Sequence, residues 1–238
     1  MKLDLNCDLG EGETASRTRA LMRWITSANV ACGGHAGDVA SMTRCCELAW
    51  KFDVRLGAHP GPWDRASFGR AEIRLTAKEL ETLLLQQVGA LERVARAHQL
   101  ELHHIKLHGA LYHAVERDAA LARSYLRAVG KWWPGVRVYA LAGGAVMRAA
   151  SKSGVEVWGE IFADRSYRDD GSLVPRGQPG AVFEKVEAMI GRMKGFARTG
   201  TIPSVSGKPL RLSGRTLCVH SDTPSAVALA GRLARELR

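Results

Sequence analysis

The most constraining feature of this chain is a repeating alternation of short strand-like runs with helical stretches. Strand patterns fall at residues 2–9, 27–32, 54–58, 102–108, 136–141, 155–162 and 216–219. Helical composition or periodicity follows at 14–24, 38–51, 76–98, 119–131, 144–153, 183–198 and from 223 onward. Strands separated by helices cannot be joined by tight hairpins, so seven such units predict a parallel sheet built from crossover connections. No linker composition interrupts the series, and residues 1–238 read as one domain. Right-handed crossovers leave two architectures, a seven-stranded parallel β/α barrel or an open doubly wound sheet. In either, the functional loops follow the carboxyl ends of the strands. Asp38, Thr76 (as a capping box with Glu79) and Thr223 before Pro224 read as helix N-caps, and residues 200–214 as a loop or small hairpin.

The first strand sorts its side chains by alternation. Asp4, Asn6 and Asp8 share one face while Leu3, Leu5, Cys7 and Leu9 share the other. The apolar face suits burial against helices. The polar face implies either contact with solvent or a wet, functional interior. The fourth strand repeats the pattern, with His104, Lys106 and His108 on one face and His103, Ile105 and Leu107 on the other.

Composition excludes several classes. No stretch approaches the roughly 20 apolar residues of a membrane span, and no basic start precedes an apolar run, which favours a cytoplasmic protein. The five cysteines include the adjacent pair Cys45-Cys46 and show no Cys-x-x-Cys spacing, so reduced thiols are expected. The formal net charge of +10 suits anionic ligands or acidic partners, but the basic residues are scattered and no nucleic-acid motif is present. No Gly-x-x-x-x-Gly-Lys-Ser/Thr loop occurs, so a nucleotide would be held in some other way.

Chemistry-bearing residues collect after the strands: Asp8 and Glu11, His35 and Asp38, His59, Lys106 and His108, Asp164 and Arg165, His220 and Asp222. In a barrel these ends meet on one rim. Asp8, His35, His59 and His108 are therefore the candidate acid, base and water-orienting set, with Asn6, Lys106, Asp164, Arg165, Arg176 and His220 as candidate substrate-binding groups. Asp164 and Arg165 also suit a simple internal ion pair, and His98 and His103 read as structural. Asp8, His35 and His59 are of the residue types that hold zinc, although no close-spaced ligand motif accompanies them.

Several long motifs resemble the LamB/YcsF family: Asp4-Leu5-Asn6-Cys7-Asp8-Leu9-Gly10-Glu11, His35-Ala36-Gly37-Asp38, Gly57-Ala58-His59-Pro60-Gly61, His108-Gly109-Ala110-Leu111-Tyr112, Phe162-Ala163-Asp164-Arg165-Ser166-Tyr167 and Asp170-Gly171-Ser172-Leu173-Val174-Pro175-Arg176. The resemblance implies a distorted, seven-stranded β/α barrel of the glycoside hydrolase/deacetylase type. It further implies ATP-dependent 5-oxoprolinase chemistry, the opening of 5-oxoproline to L-glutamate, with Mg2+ accompanying the ATP and with separate B and C subunits as partners. A stand-alone metal-dependent amidase or deacetylase, of the kind the related barrel group implies, and a non-catalytic lactam-binding paralogue stay open as alternatives, as does self-association. The sequence departs from the family pattern at Gly34, Leu107, His113, Ser221 and Ser225, where Phe, Pro, Asn, Gly and Gly are expected.

Overall fold

A computed structural model describes residues 3–237. Its strands are β1 (Asp4–Leu9), β2 (Ser27–Ala31), β3 (Arg55–His59), β4 (Leu102–Lys106), β5 (Arg137–Leu141), β6 (Val157–Phe162), β7 (Thr201–Pro203), β8 (Pro209–Arg211) and β9 (Thr216–His220). Seven of them close into a parallel barrel in the order β1-β2-β3-β4-β5-β6-β9, with β9 pairing back onto β1. Of the two architectures open to the strand pattern, the barrel is the one formed. β7 and β8 make a small antiparallel hairpin outside it, within the stretch read as loop or hairpin.

The helices are α1 (Ala15–Met22), α2 (Val39–Phe52), α3 (Ala77–Ala97), α4 (Gly109–Arg117), α5 (Ala119–Trp132), α6 (Ala145–Ala150), α7 (Val186–Thr199) and α8 (Ala226–Leu237). Asp38 caps α2 by accepting from the Ser41 amide, and Thr76 and Glu79 form the capping box that starts α3. The cap expected at Thr223 is corrected. Its amide donates to the His220 carbonyl in a turn, and α8 begins at Ala226, with the Leu229 amide donating to the Ser225 carbonyl. α7 likewise starts later than residue 183, because the Phe183 amide is taken by the Asp164 carbonyl. The strand pattern over 102–108 ends early at Lys106. His108 leaves the ladder, donates its amide to the Pro60 carbonyl at 2.8 Å and becomes the N-cap residue of α4, a helix the sequence pattern did not show.

The alternation of β1 fixes which side of the barrel is wet. Leu5, Cys7 and Leu9 are buried in the apolar layer between strands and helices, and Asp4, Asn6 and Asp8 are buried on the opposite face, inside the barrel. The interior is filled largely by polar side chains in layers, where a β/α barrel more often stacks branched apolar ones. At the amino end, Asp4 accepts from Thr26 and Ser27, each at 2.6 Å, and from Thr216 at 2.5 Å. Above it, the Asn29 amide donates to Asn6 at 2.7 Å, and the Asn29 carbonyl oxygen accepts from His104 Nε2 at 2.6 Å. The His104 ring stacks on Tyr139, which stacks in turn near Trp158. Arg55, Arg137 and Arg215 lie over the Trp158 ring and close the floor. The polar groups of these lower layers thus partner one another, the condition for burying them without a large loss of stability.

Gly57 makes room for this packing, because a Cβ there would overlap the His104 ring. Gly57→Ala is predicted to displace His104 from Asn29 and to destabilise the fold by about 1–3 kcal/mol. Urea denaturation measures this; an unchanged midpoint would show that the His104 ring is not held where the layer places it.

Candidate functional site

Lys106 stands at the centre of the upper barrel. Its ammonium donates to Asp8 Oδ1 at 2.8 Å, lies 2.9 Å from Glu160 Oε1, and has Cys218 Sγ at 3.1 Å and Asn6 Oδ1 at 3.5 Å. All of these side chains are buried. Burial alone would discharge Lys106, but Asp8, Cys218 and Glu160 outweigh it and hold the ammonium protonated well above its usual range. Burial likewise opposes ionisation of Asp8, and the His59 and Lys106 charges overcome it, so the carboxyl stays ionised well below the usual range. Asn29 Nδ2 donates to Asp8 Oδ1 at 2.7 Å and fixes its plane.

A second cluster sits one layer higher. Glu11 Oε1 lies 2.8 Å from His35 Nε2, 3.2 Å from His108 Nδ1 and 3.6 Å from His59 Nε2. His59 Nε2 is 3.0 Å from His108 Nδ1 and 3.5 Å from Asp8 Oδ2, linking the two clusters. The His35 and His108 rings stack at 3.5 Å, and Phe68 packs edge-on against both. Burial drives the pKa of His35 down to about 4 and lowers that of His108. For His59, burial is outweighed by Asp8 and its pKa is raised. Burial also opposes ionisation of Glu11, yet His108 and His35 beside it keep its carboxyl well below the usual range.

The residues predicted from the last strands lie around the mouth. Asp164 accepts from His220 Nδ1 at 2.8 Å, so its partner is His220 and not Arg165, which corrects the internal ion pair read from their adjacency. Arg165 donates to the Val174 carbonyl at 2.5 Å. Arg176 pairs with Asp222 at 3.6 Å, and Arg70 meets the same carboxylate at 3.1 Å. Phe162 lies between the groups, with His220 stacked on it at 5.8 Å, Tyr112 edge-on at 6.1 Å and the Lys106 ammonium 5.8 Å from its centre. Tyr112 Oη, Glu160 Oε2, Asp164 Oδ1 and Arg165 Nε are buried without a hydrogen-bond partner, the condition of a site built to receive a polar ligand. A cleft of about 460 Å³ beside the rim is lined by charges of both signs, among them Arg70, Arg74, Arg117, Glu72 and Asp118.

Asp8, Asn6 and Lys106 thus share one cluster, and His35, His59 and His108 share the next. Sequence reasoning put Glu11 on the rim beside Asp8 but gave it no role, and it passed over Glu160. A carboxylate within the largely apolar run of β6 was the available signal for Glu160. Of the zinc candidates, His35 and His59 group with Glu11 and His108, while Asp8 groups with Cys218 and His220. At Gly34 a side chain would run into Gln87 and the Gly61 carbonyl. Gln87 fills this region and clamps Gly61 through bonds of 3.0 and 2.7 Å. Leu107 is buried.

Fold and site together define a β/α barrel whose carboxyl rim carries a carboxylate–lysine–imidazole centre. The chain belongs to the LamB/YcsF family, whose model matches residues 3–238. It is 42% identical over 231 residues to a Bordetella pertussis protein named as the A subunit of 5-oxoprolinase, covering 96% of this chain and 92% of that one. It is also 42% identical over 240 residues to a protein of the same name from Pyrococcus furiosus, covering 100% and 94%. The crystal structure of a lactam utilization protein from Thermus thermophilus superposes with a TM-score of 0.90 at 37% identity, over 99% of this chain and 96% of that one.

The burial of these charges has measurable consequences. Lys106→Met leaves Asp8 and Glu160 facing each other without a cation and should cost about 3–5 kcal/mol, read as a lower denaturation midpoint. The buried imidazoles set the acid limit. His35 and His113, each lowered to about 4 by burial, and His104, held by burial well below its usual value, are neutral when folded but bind protons when unfolded below about pH 6.5. The unfolded state then holds more protons, so stability should fall as pH drops from about 6.5 towards 4, with the raised pKa of His59 partly opposing it. Urea midpoints that stay level across that window would contradict neutral, buried imidazoles.

Proposed function

We propose that this chain is the A subunit of an ATP-dependent 5-oxoprolinase, opening the lactam of 5-oxoproline to L-glutamate as ATP goes to ADP and phosphate. The observation that carries the reading is the buried Asp8–Lys106–Glu160 centre facing imidazoles and cations at one barrel mouth. The relatives named as 5-oxoprolinase A subunits support the choice of substrate.

An unstrained lactam carbonyl is a weak electrophile, and phosphorylation of its oxygen makes attack by water feasible. The phosphorylated species and the substrate carboxylate are both anionic. Arg165 and Arg176 at the mouth bind these groups, and Lys106 offsets the negative charge of the phosphoryl group carried on the former carbonyl oxygen. Asp8, ionised and oriented by Asn29, serves as general base, and Glu11 with His35, His59 and His108 holds the attacking water. His220, whose Nδ1 is bound by Asp164, presents its other nitrogen as the acid that protonates the departing lactam nitrogen, which leaves an open-chain acyl phosphate that a second water cleaves to the carboxylate and phosphate. Asn6, beside Lys106, keeps the centre in register. The chain has no phosphate loop, and ATP with its Mg2+ is held jointly with B and C partner subunits in this reading.

The test is glutamate release from 5-oxoproline by this chain mixed with its B and C partners and ATP. Release that requires all components is expected; its absence from a folded, complete mixture refutes the substrate. Asp8→Asn should lower kcat by about 10²–10⁴-fold. Arg176→Ala should raise KM more than it lowers kcat, and an equal fall in both kcat and kcat/KM would remove Arg176 from substrate binding.

A further inference from the structure

Two ring nitrogens at the mouth face each other, and the surrounding backbone fixes both as electron-pair donors. His59 Nδ1 lies 2.8 Å from the Lys106 carbonyl oxygen, and His108 Nε2 lies 2.9 Å from the Phe68 carbonyl oxygen. A carbonyl only accepts, so each of these nitrogens carries a hydrogen. In the neutral rings the remaining nitrogens, His59 Nε2 and His108 Nδ1, are then lone pairs, and they stand 3.0 Å apart. Glu11 Oε1 adds a third electron-rich atom at 3.6 and 3.2 Å from them. Three such atoms converging in a buried site repel one another unless a positive charge lies among them, either a proton shared between the two rings or a metal cation that displaces it.

His35 plays a different part. Its Nδ1 is buried with no hydrogen-bond partner, while its Nε2 is 2.8 Å from Glu11. A proton on Nδ1 would be a buried, unsatisfied donor, so the hydrogen belongs on Nε2, donated to Glu11. Gly61 presses against this ring so closely that a Cβ there would overlap Nδ1, and a Cβ at Gly69 would run into the Cβ of His35. The ring is fixed, and Glu11 is aimed by it.

The spacing fits a metal ion. Bonds of about 2.0–2.1 Å in tetrahedral geometry separate neighbouring ligand atoms by about 3.3–3.4 Å, and the three separations here are 3.0, 3.2 and 3.6 Å. Imidazoles whose second nitrogen is tied to a backbone carbonyl, and a carboxylate held by a further donor, are the usual outer support of such ligands. We propose that Glu11 Oε1, His59 Nε2 and His108 Nδ1 bind one divalent cation of the borderline, zinc-like class, with His35 as the positioning residue for Glu11. Two imidazoles and one carboxylate select this class over Mg2+, which prefers oxygen ligands. Three protein ligands leave a fourth position open, and a cation so held would acidify a water bound there. The proposal does not depend on the identity of the substrate.

Titration of the isolated, chelator-treated chain with Co2+ and Zn2+, without substrate or ATP, tests it. One cation per chain is expected, with the visible absorption of four-coordinate Co2+ and a rise in melting temperature on Zn2+ addition. His59→Ala and His108→Ala should abolish saturable uptake while keeping the wild-type circular dichroism. His35→Phe should weaken uptake about 10–100-fold, and His35→Gln, which keeps an N–H donor, should recover most of it. Failure of folded wild-type chain to take up either cation would overturn the site. So would uptake unchanged in His59→Ala, or imidazole ¹⁵N spectra at neutral pH, recorded after Zn2+ addition, showing both nitrogens of His59 protonated, since a proton would then occupy the place assigned to the cation.

Discussion

The ammonium of Lys106, set between the carboxylates of Asp8 and Glu160, is the interaction on which the barrel interior depends. Removing a carboxylate from water costs several kcal/mol, and two side by side cost more. One cation in contact with both, at 2.8 and 2.9 Å, makes the arrangement sustainable. It also dictates what lies beneath. A charged centre cannot rest on a purely apolar plug without losing its remaining hydrogen bonds, and the layers below it pass through Asn6, Asn29 and His104 to Asp4 and its hydroxyl partners. The apolar core is displaced outward, into the ring between strands and helices, where Leu5, Leu9, Val30 and Ile105 are buried.

That inversion lets the barrel serve as a support for chemistry as well as a fold. The polar column runs from a floor closed by Trp158 and three arginines to a mouth lined by imidazoles, Asp164 and Arg165. Side chains on rigid strands hold their positions better than side chains on loops, and here Asp8, Lys106, Glu160 and His220 all stand on strands. The loop carrying Phe68, which has a positive φ of 57°, closes over the imidazoles and hands its carbonyl to His108.

Much of this was legible in the sequence because the strand period is two. Alternation in β1 and β4 put Asp8 and Lys106 on the inner face, and the order of seven strand–helix units gave the barrel once the family resemblance favoured closure. What escaped depended on contacts that periodicity does not encode. Glu160 is a single charge in an otherwise apolar stretch, and only its distance to Lys106 reveals its place. Glu11 follows the strand in a turn, so no period assigns its direction. Asp164 and Arg165 are neighbours in sequence, yet Asp164 bonds to His220 on the neighbouring strand β9. The short helix α4 was hidden because it opens on Gly109 and its N-cap, His108, makes no capping hydrogen bond, so no start signal marks it.

Lys106 acts twice, through its side chain and through its backbone. Its ammonium reaches into the barrel to Asp8, and its carbonyl points sideways to the ring of His59. The two polar centres are thereby geared to one peptide unit, so a slide or tilt of β4 displaces both in step and preserves their phase. The gearing is also separable by chemistry, because substitution at this position replaces the ammonium and leaves the carbonyl. A descendant of this chain can therefore exchange the charge at the heart of its pocket while the imidazole above keeps its tautomer and its aim.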